Sequence, residues 1–114
     1  MKYLITMTDL DGAWDALPED GQDRILKQHE EFTEALQIAG KFIAAYHLRP
    51  RDEAMTVRED DAGTHTVSPG PYDDRREYMG GAYVIDADSM DEAVEWARPG
   101  RFMTGANEVR EVWE

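Results

Sequence analysis

Residues 27–42, KQHEEFTEALQIAGKF, run from the body of one element into the next, and their reading decides the fold. The apolar positions Ile25, Leu26, Phe32, Leu36 and Ala39 recur at three- and four-residue spacing, which is the pattern of a helix with one buried face over residues 19–39. Gly40 supplies the stop, and Pro18 suits the first helical turn. KFIAAYHL (41–48) follows at once as a strand, closed by Arg49, Pro50 and Arg51. Upstream, KYLITMT (2–8) carries Tyr3, Ile5 and Met7 at alternate positions and reads as another strand with one face buried. The first 48 residues therefore spell strand, helix, strand.

Downstream, AMTVRED (54–60) and GTHTVS (63–68) flank Asp61 and Ala62 as a hairpin. SPGPYDDRRE (68–77) has the prolines, glycine and charges of a loop. Gly80 and Gly81 lead into AYVIDA (82–87), the most apolar strand and the one expected at the sheet centre. Ser89 followed by Glu92 fits a capping box for a short helix presenting Met90, Ala93, Val94 and Ala97, with Pro99 and Gly100 as its stop. NEVREVW (107–113) is a last strand. The order β-α-β-(hairpin)-β-α-β predicts an α+β chain of ferredoxin-like type, βαββαβ with an inserted β-hairpin, both helices on one face of an antiparallel sheet. The other face then needs a cover, and a two-fold homodimer is the simplest one.

At 114 residues the chain is expected to form a single domain over residues 1–114. Any small-molecule pocket in so small a domain needs a second subunit or a long loop to enclose it. Twelve Lys and Arg against 25 Asp and Glu leave a formal charge of −13, a field that repels phosphate backbones and anionic lipid. No direct nucleic-acid partner and no membrane partner are expected. Hydrophobic residues at 41%, with three Trp and five Tyr, speak for a packed core rather than an acidic disordered chain. The absence of cysteine excludes disulfides, thiolate nucleophiles and thiolate metal sites. The N-terminal MKYLITMTDLDGAW has neither the apolar length nor the flanks of a signal peptide, so a cytoplasmic location is expected.

Chemistry gathers around His29. At 3.6 residues per turn it shares a row with Ile25, Phe32 and Leu36, on the side that packs against the sheet. Burial lowers an imidazole pKa toward the neutral form, and a neutral, partly buried imidazole held by a carboxylate is what a general base near pH 7 requires. The plainer reading is a histidine at the stripe edge, hydrogen-bonded and inert. His47 beside Tyr46 closes the second strand, where strand ends commonly meet ligands. His65 sits among threonines and reads as exposed. The run HEEFT lacks a second histidine four residues on, position 33 being threonine, so no zinc helix is present and no metal site is expected. Asp9-Leu10-Asp11-Gly12 lacks calcium-loop spacing, and Gly80-Gly81 is too short for a phosphate loop. No cofactor motif is present. Arg75 and Arg76 in the 68–77 loop have two readings: holding an anionic ligand, or neutralisation by Asp73 and Asp74.

MKYLITM, the AMTVR strand at 54–58, SPGPY at 68–72, EYMGGAYVIDADSMDEAVEWA at 77–97 and EVREVW at 108–113 together resemble the YCII-related family, and within it the DGPF subgroup. The resemblance implies a dimeric α/β barrel built from ferredoxin-like protomers. It also implies an enzymatic role suspected from a recurrent His and Asp; at least one member is a dehydrochlorinase of a chlorinated hydroxyquinol, while association of DGPF members with sigma factors suggests a link to transcription. The family histidine lies eleven residues before the helix-ending glycine, as His29 lies before Gly40. The family aspartate follows the Trp-Ala of the second helix, where this chain has Gly100, and the DGPF signature is altered to Pro69 and Tyr72. Asp86 or Asp88 could stand in for the lost carboxylate.

Two functions follow as expectations. One is a cofactor-independent small-molecule enzyme of lyase or dehydrochlorinase type, with His29 as acid/base and Tyr46, His47 and Arg58 orienting a small aromatic or carbonyl substrate. The other is a non-catalytic ligand-binding or regulatory module linked to sigma-factor transcription.

Overall fold

A computed structural model of the chain describes residues 1–98 and 105–114. The proposed helix stop at Pro99 and Gly100 lies outside the described residues. The elements are β1 (Lys2–Leu10), α1 (Glu19–Ile38), β2 (Phe42–His47), β3 (Met55–Glu59), β4 (His65–Pro69), β5 (Glu77–Asp86), α2 (Met90–Ala97) and β6 (Asn107–Glu111), with a short 3₁₀ turn at Arg51–Glu53. Four strands form one antiparallel sheet in the order β2-β5-β1-β6, and β3 and β4 form a separate antiparallel pair. This is a mixed α+β chain with antiparallel sheets and two helices, consistent with a ferredoxin-like fold.

The core lies between the helices and one face of the larger sheet. Tyr3 and Ile5 on β1 stand beside Ile85 and Tyr83 on β5, and alternation puts all four side chains on the same face. Against them pack Phe32 and Leu36 of α1 and Ala93 and Ala97 of α2, so both helices cover that face. Ile5, Leu36 and Ile85 are the largest fully buried side chains. Alanine at 93 and 97 lets α2 approach closely, and Met7, Phe42, Trp96 and Val109 fill the margins.

Local chemistry sets the helix ends. Pro18 occupies the N-cap in extended backbone, one residue ahead of the first helical turn expected for it. At the other end Gly40 adopts φ +71°, while its N–H donates to the Gln37 carbonyl and that of Lys41 to Leu36, the paired bonds of a glycine-capped helix. Ser89 caps α2 by accepting from the Glu92 N–H at 3.1 Å. The returning bond from Glu92 goes to the N–H of Asp88 rather than to the cap residue itself.

The main departure from the sequence pattern is β5. It starts at Glu77, five residues ahead of the apolar run, so both glycines are strand residues. Each has a neighbour where a side chain would go. A Cβ on Gly80 would stand 1.8 Å from Asp9 Oδ2, and one on Gly81 2.6 Å from the Tyr46 carbonyl oxygen. β1 also runs two residues further than expected, to Leu10, after an irregularity at Met7/Thr8 where Gly80 is passed over in the register.

Candidate functional site

α1 lies over β5 so that two successive turns meet the same core-facing residue of the strand, Tyr83. Phe32 meets the Tyr83 ring edge-on at 4.8 Å. One turn earlier, His29 Nδ1 is 2.9 Å from the Tyr83 hydroxyl, and the two rings are nearly parallel at 14°. The row of the helix that holds the core thus carries a half-buried imidazole tied to a buried phenol. Burial pushes the His29 pKa below its ordinary value, and repulsion from the His47 cation adds to the effect. Burial likewise raises Tyr83, opposed by a hydrogen bond with the Thr33 side chain. Thr33, the residue that breaks the zinc-helix spacing, therefore shares the phenol with His29 from the next turn.

His47 reaches this group from β2. It pairs with Gly81 and Ala45 pairs with Tyr83, so alternation places His47 on the same face as Tyr83. Beyond Gly81 in the same row stands Met7, whose methyl would lie 3.1 Å from a Cβ there. Asp9, two residues further along β1, lays its carboxylate against Gly80. Burial raises the pKa of Asp9, and the charge of His47 pulls it back down. His29, His47, Asp9 and Tyr83 are thus brought to one end of the sheet, with His47 within electrostatic reach of both His29 and Asp9.

The other expected residues lie elsewhere. Tyr46 pairs with Ala82, on the opposite face of the sheet from His47, and is largely exposed. Arg58 belongs to β3, where its guanidinium covers the Tyr72 ring at 5.1 Å and donates to the Tyr72 carbonyl at 3.2 Å. Asp86 accepts from the N-terminal ammonium at 2.9 Å and Asp88 stands 3.9 Å from Lys41, so both carboxylates are engaged by other cations than His29. His65 is exposed beside Glu59 at 3.5 Å. Gly100, where the resemblance would put an aspartate, lies outside the described residues. Asp9 and Tyr83 are the members sequence reading missed. The signal for Asp9 was the Gly80-Gly81 pair, which makes room for a neighbour's side chain; nothing in the pattern marked the Tyr83 hydroxyl, since tyrosine at a core position is ordinary.

Among the described residues no group of three or more His, Asp and Glu could hold a metal ion. No described helix is long and apolar enough to cross a membrane. The constellation offers a neutral imidazole, a phenol and a carboxylate in a partly dry setting, which is equipment for moving protons.

The YCII-related domain profile matches residues 1–114. The chain is also similar to an uncharacterized protein of Rhizobium meliloti (strain 1021), at 29% identity over 113 residues, spanning 96% of this chain and 90% of that protein. With the profile matched from end to end around this fold, the chain belongs to the YCII-related family.

Proposed function

We propose that the protein is a cofactor-independent small-molecule enzyme in which His29 acts as acid/base, with a lyase or dehydrochlorinase type of reaction. The observation that carries this reading is the 2.9 Å contact between His29 Nδ1 and the Tyr83 hydroxyl. It holds a half-buried imidazole against a buried phenol that can exchange a proton with it, while burial favours the neutral ring near pH 7. His47 tunes His29 through its charge and, with Asp9, forms the polar wall of the site. Asp9 is the carboxylate at this end of the sheet and acts on His47, in a chain whose residue 100 is glycine.

A homodimer of barrel type, with β3–β4 as an insertion in a ferredoxin-like single-domain protomer of the DGPF subgroup, fits this proposal. The chain exposes 8226 Å², against about 6300 Å² for a compact monomer of its mass. Tyr46, Leu48, Met55, Val57, Val67 and Met79 contribute apolar surface to that excess. Tyr46 and Arg58 would orient substrate from surfaces that a second protomer closes. No nucleic acid or membrane is a partner in this reading, and its compartment is the cytoplasm.

Chloride release from a panel of chlorinated phenols and hydroxyquinols tests the activity, followed by the His29→Ala variant. Loss of a positioned acid/base lowers turnover about 10²–10⁴-fold. Full turnover by His29→Ala on any substrate found would overturn the assignment. The non-catalytic module linked to sigma-factor transcription is favoured by one observation, the glycine at position 100, and predicts a bound ligand with no turnover.

A further inference from the structure

A recess lies away from His29. A cleft of about 1090 Å³ opens between the segment that joins β2 to β3, the 71–76 loop and the first residues of β5. Its wall gathers Arg49, Arg51, Arg75 and Arg76, four of the twelve basic side chains in a protein of formal charge −13. Glu53, Asp73 and Glu77 are the carboxylates in the same wall, and Asp9, Asp11 and Asp15 act on its Tyr78 from outside, so the cleft concentrates arginines on an otherwise acidic surface. Two of the arginines have acids already. Arg49 pairs with Glu53 at 2.9 Å, and Arg75 stands 3.8 Å from Asp73.

The other two do not. Arg51 lies over the Tyr78 ring at 4.8 Å and donates to the Arg75 carbonyl, which ties the two sides of the cleft together. Among the described residues no carboxylate pairs with the Arg51 or Arg76 guanidinium. A guanidinium fork held on an aromatic face is rigid, and its planar donors match a carboxylate or phosphate. Tyr72, Tyr78, Pro71 and Met79 supply flat apolar wall beside it. The volume suits a metabolite-sized ligand. The acidic surface around the cleft repels an extended polyanion but leaves room for one or two charges.

We propose that this cleft binds a small molecule carrying an oxyanion, carboxylate or phosphate, on a flat apolar body, with Arg51 and Arg76 holding the anion and the tyrosines and Met79 the body. The site is separate from His29 and stands or falls without it.

The test is an amide NMR titration of the full chain at fixed ionic strength with benzoate, phenyl phosphate, inorganic phosphate and benzyl alcohol. Saturable shifts confined to residues 48–54 and 71–79, with benzoate or either phosphate, are expected, and the preferred anion names the headgroup. Equal response to benzyl alcohol would mean that charge is not read, and would overturn the proposal. Arg76→Ala should weaken binding about ten-fold or more, the effect of one charge-assisted contact. Among the described residues the Arg76 side chain pairs with no carboxylate, and its carbonyl keeps the Asp11 N–H in the variant, so Arg76→Ala should fold even where Arg51→Ala does not. Unchanged affinity in Arg76→Ala, or shifts scattered over the whole surface, would refute the site. His29→Ala should bind the anion as the parent does, whatever it does to turnover.

Discussion

Replacing Gly81 with alanine should cost far more than replacing Gly80, although the two are adjacent in one strand. Neither glycine has positive φ, so an L side chain is allowed by the backbone at both positions and only the surroundings decide. At Gly81 the new Cβ would stand 2.6 Å from the Tyr46 carbonyl oxygen and 3.6 Å from the His47 Cα, both backbone atoms of β2. Restoring an ordinary separation of at least 3.4 Å means pushing β2 away from β5 at the pair His47–Gly81. Overpacking of that kind costs about 1–3 kcal/mol, and the lower chain entropy of unfolded alanine returns about 0.4–1 kcal/mol. The expected net loss is about 1–2 kcal/mol. At Gly80 the obstacle is Asp9 Oδ2 at 1.8 Å, the end of a side chain that can rotate away. The expected stability loss there is below about 1 kcal/mol. The displaced carboxylate leaves its desolvated position, so the Asp9 pKa should fall back toward 3.8. Urea unfolding at one fixed protein concentration measures both variants, and a midpoint shift on the order of 1 M is expected for Gly81→Ala. Equal costs, or a Gly81→Ala protein as stable as the parent, would refute the packing argument.

Four more outcomes are expected. Tyr83→Phe keeps the edge-on contact with Phe32 and removes the hydroxyl from His29 and Thr33; it should cost about 0.5–1.5 kcal/mol in urea unfolding and move the His29 titration. His47→Ala removes a repelling cation, so the His29 pKa should rise while staying below 6.5, because burial remains; an NMR titration reads this directly. Since the folded state resists protonating His29, the unfolded state binds more protons as pH drops below 6.5. Stability should therefore fall over that range until the folded imidazole also titrates, and His29→Leu should flatten the fall in urea midpoints measured from pH 8 to 5. Leu36→Ala empties a fully buried position and should cost about 2–5 kcal/mol in the same assay.

The element order was legible because periodicity changes sharply along this chain. Phe32 and Leu36 at helical spacing, then Gly40, mark α1 and its end, and alternation at Tyr3, Ile5 and Met7 marks β1. The start of β5 was not legible. Gly80 and Gly81 read as a tight strand entry or a close backbone approach ahead of the strand, whereas both lie within it and admit Asp9 and the β2 backbone, neighbours that local pattern does not name. His29 could be placed on the buried row from spacing alone. Its partners could not, because Tyr83 lies 54 residues away and meets it only through packing of α1 on β5. Tyr46 and His47 looked like one feature in sequence, yet strand alternation sends them to opposite faces. Arg58 lies apart from both, in the separate β3–β4 pair, where its neighbour in space is Tyr72 beyond the end of β4.

The most direct test of the central claim is the pKa of His29 by NMR, alone and with a panel of small phenols and hydroxyquinols. The account predicts a value below 6.5 in the free protein and a further shift on adding a ligand that enters the site. A titration at the ordinary imidazole value, unmoved by every compound and unchanged in Tyr83→Phe, would contradict it and leave His29 a structural residue.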